Sequence, residues 1–274
     1  MSEPVSPGAG RVVLVTGASS GFGRVIAADL HAAGWRVYGA SRRASLGDGF
    51  EPIAMDVDDD ASVEAGVAGV LAREGRLDAV VCNAGMGVAG AIEETTTAEA
   101  KQQFETNFFG VHRVCRAALP HLRARGRGRI VVIGSIAGVF GIPFQGIYSA
   151  SKFALEGYCE SLRIELRGTG VKVTVVEPGD FATGFTAARR TIAARGPASA
   201  YHAAFEHALK VIEHDEVTGA DPAMIGPAVR SLLETDEPPV RLAVGSEDQL
   251  AMTAAKTKVP AETFEGWIAK HFEP

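Results

Sequence analysis

Short runs of β-branched and aliphatic residues alternate with longer helical patterns along almost the whole chain, and that alternation leaves few folds open. The first run, Arg11-Val12-Val13-Leu14-Val15-Thr16, has the character of a buried strand, and after a Gly-rich turn a helix continues to about Ala33. Gly34 stops that helix, and residues 35–40 form the next strand. Further strands are predicted at 51–55, 78–82, 129–134, 171–176 and 240–244, with helices at 61–74, 101–125, 147–167 and 221–235. Near-continuous Val, Ile and Leu in the strands predicts parallel strands covered on both faces. The fold class is therefore α/β: one doubly wound, mostly parallel sheet with helices on both faces and a ligand site beyond the carboxyl ends of the strands.

Composition narrows the partners. At 274 residues, with 46% hydrophobic and 22% charged residues, the chain can bury the core of one α/β domain, assigned to 11–274 behind a flexible N-terminal tail at 1–10. A formal charge of −6 argues against nucleic acid or an anionic membrane as the main partner. No apolar run approaches the length of a membrane helix, and residues 1–10 lack the basic start and apolar centre of a secretion signal. Cys82, Cys115 and Cys159 are far apart, odd in number and without metal-ligand spacing to the histidines, so they are expected to be buried reduced thiols of a cytoplasmic protein without a bound metal. One segment breaks the rhythm: residues 180–219, with Phe181, Phe185, Tyr201 and Phe205 among small and charged residues, form a connection long enough to serve as a substrate lid. The tail after 247 becomes amphipathic around Phe264, Trp267, Ile268 and Phe272 and could pack on that lid or on a partner subunit.

The chemistry-bearing residues fall at the predicted strand ends. Thr16-Gly17-Ala18-Ser19-Ser20-Gly21-Phe22-Gly23 lies between the first strand and the first helix, where glycines allow a tight turn and the helix N-terminus can receive a pyrophosphate. At the end of the second strand an NAD site calls for a carboxylate. This chain has Ser41-Arg42-Arg43 instead, with no acid before Asp48, which favours a 2′-phosphate and hence NADP(H) over NAD(H). Asp56-Val57 and Asn83-Ala84-Gly85 end the third and fourth strands, on the edge where the adenine half of a dinucleotide would lie. Tyr148 and Lys152 are one helical turn apart and follow Ser135 by 13 residues or more. A neighbouring cation favours the phenolate, so Lys152 is expected to lower the tyrosine pKa, and the Ser135 hydroxyl can hold a substrate oxygen beside the phenol.

Taken together and in order, Thr-Gly-x-x-x-Gly-x-Gly at Thr16, Asn-Ala-Gly at Asn83, Asn107, Ser135, Tyr148-x-x-x-Lys152 and Pro178-Gly179 resemble the short-chain dehydrogenase/reductase family in its compact, single-domain branch. The resemblance runs from about Arg11 to Val244 and implies a Rossmann-type domain. It makes Tyr148 the general acid/base. Lys152 becomes the holder of the nicotinamide ribose, and Ser135 the donor to the substrate oxygen. Asn107 is given a water that links Lys152 to solvent. Asn83 to Gly85 become the cofactor floor, and the backbone at Pro178-Gly179 with the Thr183 hydroxyl the carboxamide contacts. The stretch Gly141-Ile142-Pro143-Phe144, with Tyr148 to Gly157, is similar to the 17β-hydroxysteroid and retinol dehydrogenase group, which implies an apolar substrate. The family also implies a homodimer or homotetramer, formed through helices 101–125 and 147–167. The activity so implied interconverts a carbonyl and an alcohol. The rival from another class is a regulator that senses NADP(H) without turnover.

Overall fold

The computed structural model describes residues 10–43 and 49–273, so the expected tail lies outside the described residues except for Gly10. The strands are β1 (Val12–Thr16), β2 (Arg36–Ser41), β3 (Glu51–Ala54), β4 (Ala79–Cys82), β5 (Val88–Ala89), β6 (Gly128–Ile133), β7 (Val171–Pro178), β8 (Arg190–Thr191) and β9 (Arg241–Val244). Seven of them make one sheet in the order β3-β2-β1-β4-β6-β7-β9, every pair parallel, and β5 pairs with β8 as a small satellite. The order reverses direction between β1 and β4, which opens a crevice at their carboxyl ends.

The helices are α1 (Gly21–Ala32), α2 (Asp60–Glu74), α3 (Thr97–Phe104), α4 (Gly110–Ala124), α5 (Gly146–Glu165), α6 (Phe185–Ala188), α7 (His202–Val217), α8 (Ile225–Glu234), α9 (Glu247–Ala255) and α10 (Ala261–His271). Successive β1 side chains point to opposite faces, which builds two cores. Val12 and Leu14 join Val63 and Val67 of α2, Val114 of α4 and Leu155 of α5. Val13 and Val15 join Ile26 and Leu30 of α1 and Val229 and Leu232 of α8. Local chemistry sets the helix ends. Asp59 accepts from the Ser62 amide at 2.6 Å before α2, Gly75 closes α2 in the left-handed region at φ 66°, and Thr96 with Glu99 forms a capping box for α3.

One expectation changes here. The helix expected at 101–125 begins at Thr97, and a π-helical segment, Glu105–Phe109, separates α3 from α4. The long connection at 180–219 holds α6, β8 and α7. The three cysteines are buried and free, as expected, and burial pushes the Cys159 thiol well up. Among the described residues no helix is long and apolar enough to cross a membrane, and no group of three or more His, Cys, Asp or Glu could hold a metal ion.

The junction of α5, β7 and β9 carries charge that is poorly compensated. Arg241 Nε lies 2.7 Å from Glu156 Oε2 and 3.5 Å from Glu177 Oε1, while the buried Glu156 Oε1 and Glu177 Oε1 have no hydrogen-bond partner. Burial, reinforced by the Glu156 carboxylate and opposed by Arg241, raises Glu177 from 4.5 to about 7. A carboxyl whose pKa is higher in the folded state contributes its full stability below the unfolded value and loses it as pH rises through the folded value. The Glu177→Gln variant is therefore predicted to match the parent near pH 5 and to be more stable at pH 8, by on the order of 1 kcal/mol. Thermal unfolding at the two pH values checks this; an equal destabilisation at both would show that the carboxylate is well accommodated.

Candidate active site

The Gly-rich turn after β1 is locked to the end of β4. Thr16 Oγ1 accepts from the Asn83 and Ala84 amides, both at 3.0 Å, and Asn83 Nδ2 donates to Thr16 O at 2.9 Å. Gly17 sits at φ 67°, and a Cβ there would come within 2.9 Å of Ala84 Cα. A Cβ on Gly23 would meet Gly17 O at 2.3 Å, so only glycine lets α1 start this close to the turn. Phe22 packs edge-on against Phe181 with ring centroids 5.0 Å apart, which accounts for a bulky apolar residue inside the turn.

A cleft of about 530 Å³ runs from this turn along the carboxyl ends of the strands. Gly17, Ser19, Ser20, Gly21 and Phe22 line it at the start of α1, with Ser41 and Arg42 after β2 and Asp56 and Val57 after β3. Asn83, Ala84 and Gly85 follow β4, Ser135 follows β6, Tyr148 and Lys152 come from α5, and Pro178, Gly179 and Thr183 come from the end of β7. Arg43 lies just outside, in an adjoining concavity of about 360 Å³ shared with Ser19, Ser41 and Arg42. Gly23 and Asn107 do not line the cleft: Gly23 is buried against the turn and Asn107 is only 1% exposed. The glycine cradle, the helix start and the basic corner suit a phosphate-bearing dinucleotide.

At the far end Ser135, Tyr148 and Lys152 come together. Ser135 caps the short 3-10 turn Ile136–Gly138, its Oγ accepting from the Ala137 amide at 3.1 Å, and it lines the cleft with Tyr148. Lys152 Nζ donates to Ile133 O at 2.8 Å and lies 5.8 Å from the centre of the Tyr148 ring. The expected lowering of the tyrosine pKa is overturned. Burial pushes Tyr148 up to about 12, Ser135 and Arg189 oppose the rise, and Glu216 and Asp180 add to it. The lysine does not counter it: burial draws Lys152 itself down to about 8, and its ammonium is turned to the Ile133 carbonyl.

Asn107 lies in the π-helical segment. Its Oδ1 accepts from the Met86 amide at 2.8 Å, and its Nδ2 donates to Met86 O at 3.0 Å and Ser151 Oγ at 3.1 Å. These bonds brace the exit of β4 against α5, and none is directed to Lys152.

Several residues of the site carry no motif. Phe185 of α6 packs on Tyr148 with ring centroids 5.8 Å apart. Arg189 lies 5.8 Å from the centre of the Phe185 ring and is paired with Glu216, which also accepts from Thr186 Oγ1 at 2.6 Å. Gln249 of α9 accepts from the Asp180 amide at 3.1 Å and donates to the Asp180 carboxylate, fixing the turn after Gly179. Burial, with Asp215 and Glu216 nearby, raises Asp180 to about 6.

The chain's likenesses agree with this geometry. The family model described as short chain dehydrogenase matches residues 11–193. A 3-ketodihydrosphingosine reductase of Bacteroides thetaiotaomicron is 43% identical over 251 residues, covering 91% of this chain and 93% of that protein. Human 17-beta-hydroxysteroid dehydrogenase type 1 is 38% identical over 192 residues, 64% of this chain and 58% of that protein. The crystal structure of a short-chain dehydrogenase from Streptomyces avermitilis superposes with a TM-score of 0.81 at 37% identity, covering 94% of this chain and 96% of that one. The structure of an alcohol dehydrogenase from Thermococcus sibiricus complexed with 5-hydroxy-NADP gives a TM-score of 0.71 at 27% identity, covering 86% of this chain and 97% of that one. A doubly wound sheet reversing at β1/β4, a glycine turn at that switch and a serine, tyrosine and lysine at the other end of one cleft accord with these likenesses, and the chain belongs to the short-chain dehydrogenase family.

Proposed function

We propose that the protein is an NADP(H)-dependent oxidoreductase that interconverts an apolar ketone or aldehyde and the corresponding alcohol. The observation that carries this reading is the convergence of Ser135, Tyr148 and Lys152 at one end of a cleft whose other end is the glycine turn and Arg42. A nicotinamide cofactor held in this cleft would supply or receive a hydride at the carbonyl carbon. In reduction Tyr148 gives its hydroxyl proton to the carbonyl oxygen, so the C=O π bond becomes one C–H and one O–H bond. Ser135 holds that oxygen as negative charge develops on it. Lys152 would hold the nicotinamide ribose, and Pro178, Gly179 and Thr183 would orient the carboxamide. Asn107 acts through its brace on Met86 and Ser151.

The 43% identical reductase whose name specifies 3-ketodihydrosphingosine favours a long-chain ketone over a compact one, and the lid aromatics beside Tyr148 agree with it. Exposed Phe109, Phe153 and Ile164, on the π-helical segment and α5, support assembly into a homodimer or homotetramer through these helices. The buried free thiols fit a cytoplasmic setting. Purified protein is predicted to oxidise NADPH in the presence of unbranched ketones, followed by NADPH absorbance. Tight NADPH binding without turnover of any ketone, aldehyde or alcohol would instead identify a cofactor sensor.

A further inference from the structure

The family match stops at residue 193, yet the cleft continues into the C-terminal part of the chain. Helix α10 is seated on the loop that follows Ser135. Phe264 is 1% exposed, lies in a third apolar cluster with Ile136 and Phe140, and has its ring centroid 5.4 Å from that of Phe140. Ile142 and Ile268 pack on the same cluster. The end of α10 is clipped to the lid helix α7 at two points: His271 Nε2 lies 2.7 Å from Asp215 Oδ2, and His207 Nε2 donates to Glu273 O at 3.1 Å. Phe272 sits between the two clips and lines the cleft together with Ile142, Phe185 and Ile212. One aromatic ring is thus held where the lid and the Ser135 loop meet, and Asp215 in the same lining is already paired with the neighbouring His271.

Resting on the long-chain ketone reading above, we propose that Phe272 forms the distal wall of the substrate site and packs against the hydrocarbon chain, so that it sets the chain length the enzyme prefers. An aromatic wall in an apolar site discriminates by the methylenes it contacts, and a single methylene there changes kcat/KM by roughly 10-fold or more. The two clips make Phe272 part of the closed lid, so α7 and α10 bury the chain from both sides.

The test is a series of unbranched methyl ketones, short to long, assayed with NADPH on the full-length parent, Phe272→Ala and His271→Ala. The parent is expected to improve with chain length. Phe272→Ala is expected to lose about 10-fold in kcat/KM on the longest ketones, chiefly through KM, while the shortest stay within about two-fold of the parent. Loosening the clip with His271→Ala is expected to act in the same direction more weakly. A parent that gains nothing from chain length, or a Phe272→Ala loss equal on short and long ketones, overturns the inference and leaves the oxidoreductase reading intact. A parent that turns over no ketone of any length removes the long-chain ketone reading and this inference with it.

Discussion

Replacing Tyr148 by phenylalanine is expected to lower kcat by about 1,000-fold or more while NADPH still binds within about two-fold of the parent. The substitution removes one hydroxyl from a half-buried ring that lines the cleft. The ring contact with Phe185 at 5.8 Å and the approach of Lys152 at 5.8 Å are ring properties that phenylalanine keeps. What disappears is the hydroxyl, while Ser135 Oγ keeps the Ala137 amide. Activity should therefore fall through proton transfer and not through misfolding, and an unchanged unfolding temperature is the control. The pH dependence adds a signature. With Tyr148 near 12, the hydroxyl is protonated at neutral pH, as an acid for carbonyl reduction must be. Alcohol oxidation needs the phenolate, so its rate in the parent should climb with pH across the alkaline range, and the residual rate of Tyr148→Phe should not. Retention of a tenth of the parent's activity would remove the tyrosine from the mechanism.

The parts of this design that are legible in the sequence are the ones decided locally. β1, β2 and β4 announce themselves because buried parallel strands need unbroken apolar runs, and the glycine turn is visible because Gly17 and Gly23 stand where a Cβ would strike backbone. Contacts made at a distance leave no such mark. A π segment has no residue-type signature of its own, so Glu105–Phe109 is hidden inside a long helical pattern until Asn107 is seen bonded to Met86, 21 residues away. The tyrosine pKa shifts the other way from expectation because the spacing to Lys152 is a sequence property whereas burial is a tertiary one, and burial dominates. The length of the 180–219 connection is readable, but not the pairing of β5 with β8 or of Arg189 with Glu216. The amphipathic pattern of the tail does not say which surface it covers, and in the structure it packs on α7 and on the loop after Ser135.

Removing the Arg42 side chain is expected to raise the KM for NADPH by roughly 10- to 100-fold and to leave that for NADH within about two-fold. Arg42 lines the cleft directly after β2 and shares the adjoining concavity with Ser19, Ser41 and Arg43. A charge-assisted hydrogen bond to a phosphate is worth about 1.5–3 kcal/mol, which is the source of that range, and a ribose hydroxyl without a phosphate offers no comparable partner. Arg43 stands outside the cleft proper, so Arg43→Ala should have a smaller effect, and Arg42→Ala/Arg43→Ala should fall below the single Arg42 variant. Both arginines are exposed, so the attraction is screened by salt: the parent's KM for NADPH should rise with ionic strength more steeply than its KM for NADH, and Arg42→Ala should flatten the difference. The selectivity ratio is the decisive quantity, because a variant that merely disturbed the loop after β2 would weaken both cofactors together. Equal losses for NADPH and NADH would show that Arg42 does not select for the 2′-phosphate and would overturn its assignment.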